Sequence, residues 1–194
     1  MMADKKPGGA TTGRCNPASG QPGPWTIEPI PAGLEHSPLD FLFADHHRQR
    51  QAVQILLNIA DGAYNEAGLR NLVKFLEHDF ALHIQDEECD FVPLLRRLCP
   101  PEDGIDALAE RLAGEHADDK SSVKKVVKSL QNRLAGGKLS GTERETIRAF
   151  AAHLRRHLAI ENGVLLPIAR VRMDPDALAE LARAIRSRRA KGAQ

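Results

Sequence analysis

Cysteine is scarce. Cys15, Cys89 and Cys99 are too few and too irregularly spaced to frame a disulfide scaffold, which makes a reducing cytosol the expected compartment. Long apolar runs are missing too: nothing approaches the ~20 residues of a membrane helix. The opening MMADKKPGGATTGRC has no apolar segment of the secretory type. Neither sign of charge dominates, with 27 Lys+Arg against 26 Asp+Glu and a net charge of +1, so no broad electrostatic footprint for nucleic acid exists. These absences predict a cytoplasmic protein with no membrane and no nucleic-acid partner. What is present is a hydrophobic content of 42%, enough for a packed core in 194 residues, and eight histidines whose positions carry the functional reading.

Residues 1–34 hold 6 of the 12 prolines and 6 of the 15 glycines without apolar periodicity, so residues 1–35 are expected to form a flexible N-terminal arm. Its end, Pro24 to Pro31, carries the only Trp and is a candidate for docking on the body. Strand-type alternation is poor beyond it, and the chain reads as all-α. Ser37, as N-cap before Pro38, opens a first helix ending near Asp61-Gly62. A second runs from about Asn65 to Leu98, a third from Ile105 to Gly136-Gly137. A fourth opens on the capping box Ser140-Gly141-Thr142-Glu143. A short fifth follows Asp174-Pro175 to about Arg188, with a basic end read as a solvated face complementing the helix dipole. Four long amphipathic helices with short connections predict an antiparallel up-down-up-down four-helix bundle over residues 36–172, with a C-terminal helix and tail over 173–194.

Each long apolar stripe is interrupted near its middle by a histidine, and helices 2 and 4 add a glutamate four residues on. The inward set is His46, His83, Glu87, His116, His157 and Glu161. Buried imidazole and carboxylate are costly unless paired or coordinated. At ~1.5 Å per residue His83, His116 and His157 fall at nearly one height, with His46 within ~8 Å of them, so the six side chains can meet in one layer. The segment HIQDEECDFVPLL, starting at His83, also aligns without a gap to HLAIENGVLLPIA, starting at His157, at a constant offset of 74 residues. Two matched His-x-x-x-Glu pairs imply a pseudo-symmetric site for two ions. A proline follows each His by ten residues and predicts that each helix kinks or ends below the site. Four imidazoles and two carboxylates suit divalent Fe, Mn or Zn. The spacing of four differs from the Glu-x-x-His of ferritin-type sites.

These residues resemble the hemerythrin-like proteins, or HHE cation-binding domain family. The matching features are Ala44-Asp45-His46, His83-x-x-x-Glu87-Glu88 before a proline, Glu115-His116, and His157-x-x-x-Glu161-Asn162 before a proline, over about residues 36–170. The resemblance implies a four-helix bundle with two non-haem Fe ions that binds O2 or NO. Glu87 and Glu161 would bridge the ions, His46 and His83 would ligate one, and His116 and His157 the other. Oxygen carriers of this type use a fifth His, four residues after the third-helix His, where this chain has Lys120. Water, Glu115, Asp119 or a second carboxylate is then the expected replacement, which turns the expectation from reversible carriage toward oxidation or other small ligands.

Taken singly, the other polar residues read more blandly. His47 is expected to be solvated, His36 and His78 to lie on the surface, and His153 to lie off the main stripe although one turn from His157. Cys89 reads as a half-buried thiol, and Lys124, Lys125 and Lys128 as a solvated face. Glu88 reads equally as a group orienting a ligand or as an exposed carboxylate. Oxygen or redox sensing, delivery or defence competes with a di-iron peroxidase or ferroxidase, and with a metal-free module that binds partners through its C-terminal helix.

Overall fold

The computed structural model describes residues 25–192. Most of the expected flexible arm, residues 1–24, lies outside them, as do residues 193–194. The described residues are helical, with no strand among them. Helix α1 spans Pro38–Ala60. Helix α2 covers residues 66–98 as a continuous run in which two π-turns, Phe75–Asp79 and Glu87–Phe91, interrupt α-helical segments. Helix α3 spans Ile105–Leu134. Helix α4 covers residues 141–172, with a π-turn at Glu161–Leu165. Helix α5 spans Pro175–Gly192. Among the described residues no helix is long and apolar enough to cross a membrane.

Local chemistry explains most boundaries. Asn65 Oδ1 accepts the Gly68 N–H at 2.8 Å, and Ser140 and Glu143 form the reciprocal capping box. Ser37 precedes α1 as expected, but its hydroxyl makes no capping bond; the 3₁₀ turn Leu34–His36 leads into the helix instead. Gly62 (φ 98°) and Gly136 (φ 90°) follow α1 and α3 in the left-handed region that ends helices. Neither α2 nor α4 ends at its proline. Pro93 and Pro167 each sit at the start of the segment that follows a π-turn. A wider turn frees backbone carbonyls from the hydrogen bond that a proline cannot donate, so each helix continues to Leu98 or Arg172.

Two apolar clusters fill the interior. One gathers Val53, Leu56, Leu72, Phe80, Val126, Leu130, Phe150 and Leu154. The other gathers Leu42, Phe91, Leu95, Leu112, Leu165, Leu181 and Ile185. On each of the four long helices the stretch between the two clusters carries buried polar residues. At the helix surfaces Asp40 meets Arg170 and Asp61 meets Arg148, linking opposite ends of α1 and α4. Gln131 donates to Glu77, and Lys120 meets Glu88, along α2 and α3.

The apolar face of α5, including Ala177, Leu181 and Ile185, is buried in the second cluster. Its basic end is not the solvated face the sequence implied. Arg188 bonds Asp86 and Asp90, and Arg189 pairs with Asp86 while its guanidinium lies 5.3 Å from the Phe41 ring centre. The reason is Asp86, a fully buried carboxylate that requires cationic partners.

Residues 25–34 lie on the body. Trp25 and Ile27 pack on the first cluster, and Ile30 and Leu34 on the second. Arg48 donates to the Glu28 carbonyl, and the Glu28 N–H donates to Gln51. A Cβ on Gly68 would stand 2.8 Å from Trp25 Cβ and 2.9 Å from its carbonyl oxygen, closer than atoms pack. Gly68→Ala should therefore expel Trp25. Overpacking of ~1–3 kcal/mol outweighs the ~1 kcal/mol that alanine gains in a helix. Because Trp25 is the sole tryptophan, emission should move to the red; an unchanged spectrum would show that the close approach is not a constraint.

Candidate metal centre

The structure brings all six inward residues into one layer. His46 comes from α1, His83 and Glu87 from α2, His116 from α3, and His157 and Glu161 from α4; each is at most 2% exposed. Their ligand atoms form two sets, His46, His83, Glu87, Glu161 and Glu87, His116, His157, Glu161, with all atoms of a set within 4.8 Å of one another. The two glutamates belong to both.

Each glutamate divides its oxygens between the sets. Glu87 Oε1 lies 3.4 Å from His46 Nε2 and 3.6 Å from His83 Nε2, while its Oε2 lies 3.3 Å from His116 Nε2. Glu161 Oε2 lies 3.5 Å from His46 Nε2, while its Oε1 lies 4.0 Å from His116 Nε2 and 2.7 Å from His157 Nε2. Most of these gaps are too long for hydrogen bonds. They approach the ~3–3.5 Å that separates two donors bound at ~2.1 Å to a common ion. Among the described residues His46 Nε2, His83 Nε2 and both Glu87 oxygens find no hydrogen-bond partner although fully buried. A pair of divalent first-row ions fits this donor set and would satisfy those atoms.

The outer nitrogens are arranged with equal regularity. His157 Nδ1 lies 2.7 Å from Glu115 Oε2, and His46 Nδ1 lies 3.1 Å from Asn162 Oδ1. His83 Nδ1 faces Asp45 at 3.3 Å, and His116 Nδ1 faces Glu88 at 3.4 Å. At His157 and His46 the hydrogen bond to Glu115 or Asn162 favours the proton on Nδ1 and turns Nε2 to the centre, whereas Asp45 and Glu88 face the other two Nδ1 atoms beyond hydrogen-bond distance. Glu88 lies on the His116 side, with both oxygens bonded to Lys120. Glu115→Ala should weaken divalent-metal binding by roughly 10–100-fold without changing the number of ions at saturation. Competition against a chelator measures this, and wild-type affinity would refute the orienting role.

Without a metal the layer binds protons. Burial pushes the His83 imidazole down, but the Glu87 and Asp45 carboxylates outweigh it and raise its pKa to about 9. His157 is likewise disfavoured by burial yet raised to about 10 by Glu161 and Glu115. Burial opposes the Glu87 charge, and the surrounding imidazoles, His83 foremost, overcome it and hold its pKa well below the usual carboxylate range.

Several expectations need correction. Neither Glu115 nor Asp119 replaces the missing fifth histidine within either set: Glu115 turns to His157 Nδ1, and Asp119 faces His153 Nε2 at 3.3 Å. Lys120 points outward to both Glu88 oxygens, at 2.7 and 2.9 Å. Cys89 is exposed, not half-buried, because two residues beyond the inward Glu87 the helix has turned it away. His47 and His36 are largely exposed, as are Lys124, Lys125 and Lys128. Sequence reasoning missed Gln49 and Asp86. Gln49 is fully buried three residues after His46, and neither end of its amide finds a hydrogen-bond partner among the described residues. Its signal was a polar side chain on the same helix face as His46.

Comparison with known families meets this geometry. The hemerythrin HHE cation binding domain matches residues 37–169, and the chain belongs to that family. No curated protein matches it. The matched span runs from Ser37, before α1, to Ala169 in α4. It contains all six inward residues and omits α5.

Proposed function

We propose that the chain is an antiparallel up-down-up-down four-helix bundle that holds a carboxylate-bridged pair of non-haem iron ions and binds O2 or NO there. One observation carries the reading: each of two buried glutamates directs one oxygen to the His46–His83 side and the other to the His116–His157 side. That is the arrangement of bridging ligands. Cross-helix pairs support the topology. Asp45 with His83 and Arg48 with Asp79 pair α1 with α2 in opposite directions. Glu115 with His157 and Asp119 with His153 do the same for α3 and α4.

Two ferrous ions in this layer would supply two electrons and coordination positions open to a small ligand. The protein's own residues fix the donors, orient the His46 and His157 imidazoles through Nδ1 and surround the layer with apolar packing. His116 also lines a surface groove of about 440 Å³ with Glu88, Val92 and Ala113, which brings solvent-borne ligands close to the His116 side. The roles that follow are oxygen or redox sensing, oxygen delivery or defence, in the cytoplasm. Peroxidase or ferroxidase turnover is the second reading, favoured by the four-donor set around each ion, which has no fifth histidine. A metal-free module acting through α5 is disfavoured because the apolar face of α5 is already buried in the core.

The test is anaerobic loading with iron(II), followed by O2 or NO. A new visible absorption band at two irons per chain supports the reading. Iron loading with no optical response to either gas would contradict the small-ligand role. Multiple turnovers of peroxide with a reducing dye would favour the enzyme instead.

A further inference from the structure

The α3–α4 contact carries two rungs in one antiparallel register. Glu115 faces His157, and one turn along α3 Asp119 faces His153 one turn back along α4. The first rung orients an imidazole of the centre. The second serves no residue of either donor set. Asp119 is 1% exposed, and among the described residues neither of its oxygens accepts a hydrogen bond; His153 Nε2, 3.3 Å from Oδ1, finds no hydrogen-bond partner there either. A buried carboxylate left in this state is costly, so the pair calls for a ligand.

The other end of the rung reaches water. The His153 side chain is 26% exposed, and its ring lies nearly parallel to that of His157 at 6.3 Å between centres. The cation next in sequence, Lys120, is drawn away from Asp119 by both oxygens of Glu88. The 3.3 Å between Nε2 and Oδ1 is the spacing of two donors at ~2.1 Å from one ion. One imidazole and one carboxylate suit a divalent first-row cation. With water as the remaining ligands, they would hold it only briefly.

We propose that Asp119 and His153 form a loading site, where a divalent cation from solvent is captured before it passes to the His116–His157 side of the layer. This rests on the metal-centre reading above, and the test separates the two. Metal-free full-length chain is mixed with cobalt(II), uptake is followed by stopped-flow visible absorbance, and final cobalt content is measured by atomic emission. Asp119→Asn and His153→Ala should each reach wild-type content at a rate lower by tenfold or more. Wild-type rates in the variants, with or without a lower unfolding temperature, would overturn the loading site and leave a plain ion pair. A fall in final content would also overturn it, by making the pair part of the permanent centre. Should Asp119→Asn fail to fold, the rate of His153→Ala decides. A wild-type chain that takes up no cobalt sinks the metal centre and the loading site together, whereas two cobalt ions with unaltered variant kinetics sinks only the latter.

Discussion

Replacing Glu87 by alanine should take iron-reconstituted protein from two ions per chain to fewer than one. The expectation exceeds the loss of one ligand because Oε1 of Glu87 faces His46 and His83 while Oε2 faces His116, so one substitution removes a donor from both ions. In the proposed pair each ion would then keep three protein donors and would no longer share a carboxylate with its partner on that side. Loss of an orienting group alone costs 10–100-fold in affinity, and loss of a shared donor should exceed 100-fold. Glu161→Ala should act alike, because its oxygens are divided between His46 on one side and His157 on the other. Plasma emission on desalted protein, with circular dichroism to show that the helices persist, reads the result. One ion retained at full occupancy would mean that the two donor sets are independent.

The metal-free chain should lose stability as pH rises, the reverse of the behaviour expected once metal is bound. His83 and His157 have folded-state pKa values of about 9 and about 10. An unfolded histidine titrates near ~6.5. A folded pKa above the unfolded one stabilises fully below pH ~6.5, and the contribution is lost as pH climbs through the folded values. The His83 shift alone corresponds to something on the order of 3 kcal/mol. Because both imidazoles draw on the same glutamates, their contributions do not add. At ~2–4 °C per kcal/mol for a domain of this size, Tm in chelator should fall by about 10 °C between pH 6.5 and 10. Metal takes the place of those protons, so affinity for divalent ions should increase over the same range. A metal-free Tm that is flat or rising across this interval would contradict the proton-loaded layer.

The helical architecture and the inward polar set were legible for the same reason. His46, His83, Glu87, His116, His157 and Glu161 each occupy a position where the 3.6-residue period calls for an apolar side chain, and periodicity is the strongest signal a helix writes into sequence. The capping box at Ser140 was equally local. What escaped depends on neighbours far along the chain. Asp45, Glu115 and Asn162 show no sign of facing an imidazole Nδ1 until another helix places a histidine beside them, whereas an orienting role for Glu88 is one of the two readings its sequence position offers. Arg188 and Arg189 look like a solvated basic end until the buried Asp86, about a hundred positions earlier, comes into contact. The π-turns at Glu87–Phe91 and Glu161–Leu165 are hinted at by Pro93 and Pro167, but a proline announces a lost hydrogen bond without saying how the helix absorbs it, and neither helix ends there.

Two ions joined by Glu87 and Glu161 in one buried layer should behave as a single magnetic unit. Mössbauer spectroscopy of the oxidised, iron-loaded chain, taken at low temperature in a strong applied field, tests it most directly. The expected spectrum shows two irons per chain whose spins cancel, seen as a diamagnetic pair. Magnetically split spectra of isolated high-spin ferric ions, or a single iron per chain, would contradict it.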